Sequence, residues 1–249
     1  SGTGSSNTAV GNQSQLSNAE GSNNTSIGAC SLNDNTTASN NTAVGSSALE
    51  SNTTGASNTA VGYLALSTNV SGTDNVAVGK DALLANTANN NVAVGVDALT
   101  ANTTGDCNVA MGKSTLDSNT SGCGNTAVGA QSFSTATTSD FSVAVGFRSL
   151  ASTTTANDNT AIGACSLNAN TTGAQNVAVG AYAVLKNTTA SGNTAVGCGA
   201  SICNETGADN VAVGLNALYK NTTQRNTAVG MSAAICNTTG QQNVAVGYF

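Results

Sequence analysis

Small apolar residues and polar residues follow one another along this chain in blocks that return at a fixed interval. A pentapeptide of the form Asn-(Thr/Val)-Ala-Val-Gly ends at Gly11, Gly28, Gly45, Gly62, Gly79, Gly95, Gly112, Gly129, Gly146, Gly163, Gly180, Gly197, Gly214, Gly230 and Gly247. Twelve of the fourteen intervals are 17 residues; Gly79 to Gly95 and Gly214 to Gly230 are 16. A period held over the whole length marks a stack of repeated supersecondary units. The pentapeptide reads as a short strand, because Val and Thr suit a pleated surface. Val, Ile or Met directly precedes every signature Gly, and that position is assigned to the interior.

Three residues after the Gly comes a small residue, and then in most units Leu: Leu32, Leu49, Leu66, Leu83, Leu99, Leu116, Leu150, Leu167 and Leu218. This predicts a second interior column on a second short strand. At Leu16, Leu185, Ile202 and Ile235 the large residue stands one place later, which predicts a locally altered turn. Segments such as Asn52-Thr53-Thr54-Gly55 close each unit with turn-forming residues. One unit holds too few apolar atoms to stand alone, whereas stacking at about 4.8 Å gives a continuous core and pairs the backbone between coils. The predicted fold is an all-β parallel β-solenoid over residues 1–249, with about fifteen coils in a rod roughly 70 Å long.

Composition narrows the functions. The 249 residues include no Pro, His or Trp, only 3% aromatic and 7% charged residues, and a net charge of −6. Six basic residues, Lys80, Lys113, Arg148, Lys186, Lys220 and Arg225, stand singly, whereas neutralising phosphates takes clusters, so nucleic acid is not an expected partner. No run approaches the length of a membrane span. The chain begins at Ser1 without a signal-like stretch, which reads as a processed or excerpted product, and neither end carries a polar cap. Without His or a clustered Lys, no Ser or Thr has an evident activating partner, so an enzyme is not expected and neither is a cofactor.

Two asparagine columns stand out. One lies four residues before the Gly: Asn7, Asn24, Asn41, Asn58, Asn75, Asn91, Asn108, Asn125, Asn159, Asn176, Asn193, Asn210, Asn226 and Asn243, with Ser142 as the exception. Stacked amides at strand spacing form a ladder, or the Asn shapes the entering turn. With the neighbouring Ala and Gly it outlines a small-residue face open to association. The second column, seven residues after the Gly, holds ten N-x-S/T sequons: Asn35, Asn52, Asn69, Asn102, Asn119, Asn170, Asn187, Asn204, Asn221 and Asn237. Placed on an exposed turn, they would form a line of N-glycosylation acceptors; Asn-Thr-Thr is equally good turn chemistry.

Seven cysteines, Cys30, Cys107, Cys123, Cys165, Cys198, Cys203 and Cys236, show no metal-site spacing. Cys107 and Cys123 fall on adjacent coils, one residue out of register, and form the disulfide candidate; the alternative is that most are small buried hydrophobes. Asp81 and Asp97 share one coil position and read as a solvated pair in preference to a calcium site.

Copies such as Asn75-Val76-Ala77-Val78-Gly79 and Asn176-Val177-Ala178-Val179-Gly180 resemble the YadA-like (Hep/Hag-type) head repeats of trimeric autotransporter adhesins and related viral and phage fibre proteins, and the likeness runs the whole chain. The resemblance implies a left-handed β-roll, side-by-side trimers, and display on a cell surface or virion fibre to bind surface glycans or matrix proteins. The period is longer than usual for that family, no heptad stalk or anchor barrel is visible, and seven Cys are unusual for such a head. The leading reading is therefore a structural subunit of an extracellular fibre, with itself as partner in a trimer or an end-to-end filament. A surface or virion adhesin is the alternative. Ice binding is a minor third, since adjacent Thr-Thr pairs point to opposite sides and break up a flat Thr array.

Overall fold

The computed structural model describes residues 3–249, which divide into two compact units meeting in sequence at Gly124 and Asn125. Each is an all-β parallel solenoid. The first carries β1 (Thr8–Val10), β2 (Thr25–Ile27), β3 (Thr42–Val44), β4 (Thr59–Val61), β5 (Val76–Val78), β6 (Val92–Val94) and β7 (Val109–Met111). The second carries β8 (Thr126–Val128), β9 (Val143–Val145), β10 (Thr160–Ile162), β11 (Val177–Val179), β12 (Thr194–Val196), β13 (Val211–Val213), β14 (Thr227–Val229) and β15 (Val244–Val246). Within each unit every strand pairs in parallel with the next, Ala on Ala and Val on Val, as in Ala60↔Ala77 and Val61↔Val78. The 16-residue intervals do not disturb this register.

Only the pentapeptide is strand; the Leu segment is a run of turns, so each coil holds one strand where two were predicted. Left-handed backbone explains why. In every complete described coil the residue two places after the Gly, the residue four places after it and the residue five places before the next Gly all have positive φ, as at Ser47, Leu49 and Ser57. The signature Gly sits at still larger φ, +139° at Gly62, where an added Cβ would strike the carbonyl of Gly79 on the next coil. That explains its presence in every copy. Leucine in a left-handed conformation is unfavourable by itself. Full burial of Leu32, Leu49, Leu66, Leu83, Leu99, Leu116, Leu150, Leu167 and Leu218 offsets it, at about 2 kcal/mol per side chain.

Two sequence expectations about the interior are corrected. In the strand it is the central Ala that is fully buried, while the Val or Ile before the Gly faces outward: Ile27 is 41%, Met111 44% and Val196 39% exposed. The coil is thin, and side chains crossing from opposite walls leave room for a methyl at that point. The second correction concerns the displaced large residues. The turn is unchanged there, with Gln15, Val184, Ser201 and Ala234 keeping the left-handed Leu position. Leu16, at 66% exposure, is left outside. Gln15 Nε2 and Ser201 Oγ pay for this by being buried without a partner.

Candidate interaction surface

Both asparagine columns face inward. From Asn24 to Asn226 the column before the strand is buried, and within each unit its amide oxygens accept the backbone N–H of the equivalent residue one coil on, as at Asn58 N to Asn41 (2.8 Å) and Asn91 N to Asn75 (3.0 Å). Amide-to-amide bonds join only some members, such as Asn75 to Asn58 at 3.1 Å. Ser142 stands in for Asn with its hydroxyl, which accepts the Asn159 N–H at 3.2 Å. The small-residue face outlined by Asn and Ala is thus interior and unavailable for association.

The sequon column is buried too, which corrects its assignment to an exposed turn: Asn35, Asn52, Asn69, Asn102, Asn119, Asn170, Asn187, Asn204 and Asn221 have no exposed surface, and only Asn237 is part-exposed. Here amide donates to amide across coils, as in Asn69 to Asn52 (2.9 Å), Asn119 to Asn102 (2.8 Å) and Asn187 to Asn170 (2.7 Å). The two columns converge on a shared acceptor. Gly72 O takes Nδ2 donors from Asn58 (2.8 Å) and Asn69 (3.0 Å), and Ala190 O takes them from Asn176 and Asn187 (both 2.9 Å). In the two shorter coils the missing residue lies in this turn, where Asn86 and Asn221 reach a carbonyl two residues on instead of three. A glycan on any of these nitrogens would displace a buried hydrogen bond. We therefore expect peptide mapping of the chain secreted from a glycosylating host to find these ten asparagines unoccupied, whatever the state of the exposed sequons at Asn12, Asn23 and Asn40.

Outside these columns, two further ladders fasten the turns. Threonine hydroxyls donate to the next coil, as Thr53 to Val70 O (3.0 Å) and Thr171 to Thr188 O (2.8 Å), so the first Thr of the Thr-Thr pairs up to Thr222-Thr223 is engaged in the fold. Six residues before the Gly, a side-chain acceptor takes the N–H of its counterpart one coil back: Ser39, Asn89, Asp106, Asn157 and Ser191 do so. Cys123 occupies this column, its sulfur 3.4 Å from Asp106 N. Cys107 stands in the neighbouring left-handed column, and no disulfide joins the two. The one-residue offset gives the thiols different neighbours. Cys30 and Cys165 share a column, while Cys198, Cys203 and Cys236 lie at half-buried or exposed positions.

What remains outward is the far face of the strands. It presents Thr or Val three places before the Gly and Val, Ile or Met one place before it, bordered by the residue that follows the Gly. In the second unit that border reads Ala130, Phe147, Ala164, Ala181, Cys198, Leu215, Met231 and Tyr248, with no charge or amide. Eight strands at sheet spacing make a face of about 450 Å², the size of the largest apolar patch on a typical monomeric protein, which is often functional. The sequence held a signal for this polarity. Thr and Val interchange freely at the first strand position, which a dry interior would resist, whereas the central position is never larger than Ser.

In the first unit the bordering column is interrupted by Lys80 and Lys113. Lys80 Nζ pairs with Asp81 Oδ2 at 2.6 Å, and that bond, reinforced by the nearby charge of Asp97, holds the amine above its ordinary range. Burial raises the Asp117 carboxyl above the usual aspartate range, and Asp97 adds to the rise. Among the described residues, no group of His, Cys, Asp and Glu is arranged to hold a metal ion. No protein-family model matches this chain, and no curated protein matches it.

Proposed function

We propose that this protein is a structural repeat protein that builds an extracellular fibre by packing copies of the solenoid side by side through the outward face of the strands. The observation that supports this most is the second unit's strand face over eight coils, where the Thr and Val columns and the residue directly after each Gly carry no charge. A face of β-branched side chains repeating at strand spacing is met best by another face with the same repeat, since any other spacing loses contact after a few coils. The likeness to YadA-like head repeats supports three copies around one axis, displayed on a cell or virion surface. The rigidity this needs comes from the internal ladders. Sedimentation of the purified chain tests the reading: a discrete oligomer persisting at micromolar concentration and visible as rods in electron micrographs is expected, and a chain that sediments as a monomer up to its solubility limit would refute it.

A further inference from the structure

A surface that repeats every coil carries an ambiguity. Two copies packed face to face gain nearly the same apolar contact in any register offset by whole coils, so something must select one offset. In the first unit, the valine and threonine columns of β1–β7 look alike from coil to coil. The bordering positions do not. On three successive coils the pair after the Gly reads Lys80-Asp81, Val96-Asp97 and Lys113-Ser114. Lys80 and Lys113 are exposed and Asp97 is part-exposed. Lys80 is neutralised within its own chain by Asp81, whereas among the described residues Lys113 and Asp97 enter no ion pair.

We propose that Lys80, Asp97 and Lys113 form an axial register key between copies of this chain, with Lys113 of one copy paired to Asp97 of its neighbour; this rests on the side-by-side association proposed above. The two positions lie one coil apart in adjacent columns. A lysine stem spans that offset, so two copies aligned at the same height satisfy both charges. Shifting one copy by a single coil brings one Lys113 level with the neighbour's Asp97 but carries the reciprocal pair two coils apart, and larger shifts set the ammonium groups against the neighbour's Val and Thr columns. There an unpaired charge loses its water without a compensating partner. The penalty for wrong registers, more than the attraction in the right one, does the selecting, as polar residues in otherwise apolar coiled-coil seams do. Exposed ion pairs are weak singly. The key requires only that one register exceed each alternative.

The test uses the full chain with a photo-cross-linking residue in place of Val94, mixed as isotopically light and heavy copies so that links between chains are recognised by mass. In the unaltered background, links are expected on a single coil of the neighbour, at least about tenfold over any other coil. In Lys80→Val/Lys113→Val, the assembly should persist while links spread to positions one repeat apart, bringing that ratio to about one. The exchange Asp97→Lys/Lys113→Asp should restore a single coil. One-coil linking that survives the loss of both lysines would overturn the register key while leaving association intact. Absence of links between chains in every background would overturn the association itself, and the key with it.

Discussion

Asn58→Ala should lower stability by about 3 kcal/mol, whereas Asn58→Ser should cost only about 1 kcal/mol. Asn58 is fully buried. Its amide oxygen accepts the Asn75 N–H at 3.0 Å and its Nδ2 donates to Gly72 O at 2.8 Å. Alanine leaves the Asn75 N–H without an acceptor in a place no water reaches, and opens a void besides. Gly72 O suffers less, because Asn69 still donates to it at 3.0 Å. Serine restores the missing acceptor, and the protein already makes this exchange at Ser142, whose hydroxyl takes the Asn159 N–H. For a chain of this size the alanine variant should melt roughly 6–12 °C lower. Stacked repeats open locally, so hydrogen exchange at Asn75 is the sharper measurement. Equal protection in the alanine and unaltered chains would show that the column shapes turns and adds nothing to stability.

The period, the parallel coils and the buried Leu column were legible because each follows from spacing alone. Which way the strand faces was not, because hydrophobicity ranks Val above Ala and so puts Val inside. That ranking fails when the interior is narrow. Here Asn and Leu side chains already cross the coil, and only Ala, or Ser26 in one copy, fits beneath the strand. Even that exception is built in: Ser26 Oγ lies 2.6 Å from Ser31 Oγ and 2.7 Å from Ser14 Oγ, each at a position where other coils carry Ala, Ser or Thr. The same bias misplaced the sequons. Asn-Thr-Thr resembles solvent-exposed turn chemistry, yet in a stack every turn lies on another turn, and an amide that can both donate and accept along the axis is more useful inside. Between Gly129 and Gly163 the amide column is interrupted by Ala136 and Thr153, and there Asn170 keeps its bond to Gly173 O at 2.9 Å but meets the Thr153 hydroxyl, at 3.2 Å, in place of an amide one coil back. Leu16 and Ile202 fell to a different error. A large residue one place late looks like a shifted turn, but the left-handed backbone is set by interactions along the whole coil and does not move for one side chain.

Val196→Lys combined with Val229→Lys should weaken self-association at least about 100-fold while leaving the fold unchanged. Both valines are 39% exposed on the outward face, at the last residue of β12 and of β14, so their replacement removes little interior contact. Within an assembly the same positions would be covered, and two ammonium groups on each copy would be enclosed against the neighbour's valines. Lysines at the exposed turn positions of Thr172 and Thr189 add the same charge outside that face, and Thr172→Lys/Thr189→Lys should sediment as the unaltered chain does. This comparison separates the face from net charge, which the first variant moves from −6 to −4. Circular dichroism and melting temperature close to those of the parent would show that the coils are intact. If the valine variant still forms the parent oligomer, the strand face is not the contact; if Thr172→Lys/Thr189→Lys dissociates it instead, the exposed threonine turns are. Dissociation of the valine variant alone would assign the outward column of Val, Ile and Met at the strand ends to contact between copies, a role that the interior of the isolated chain does not give it.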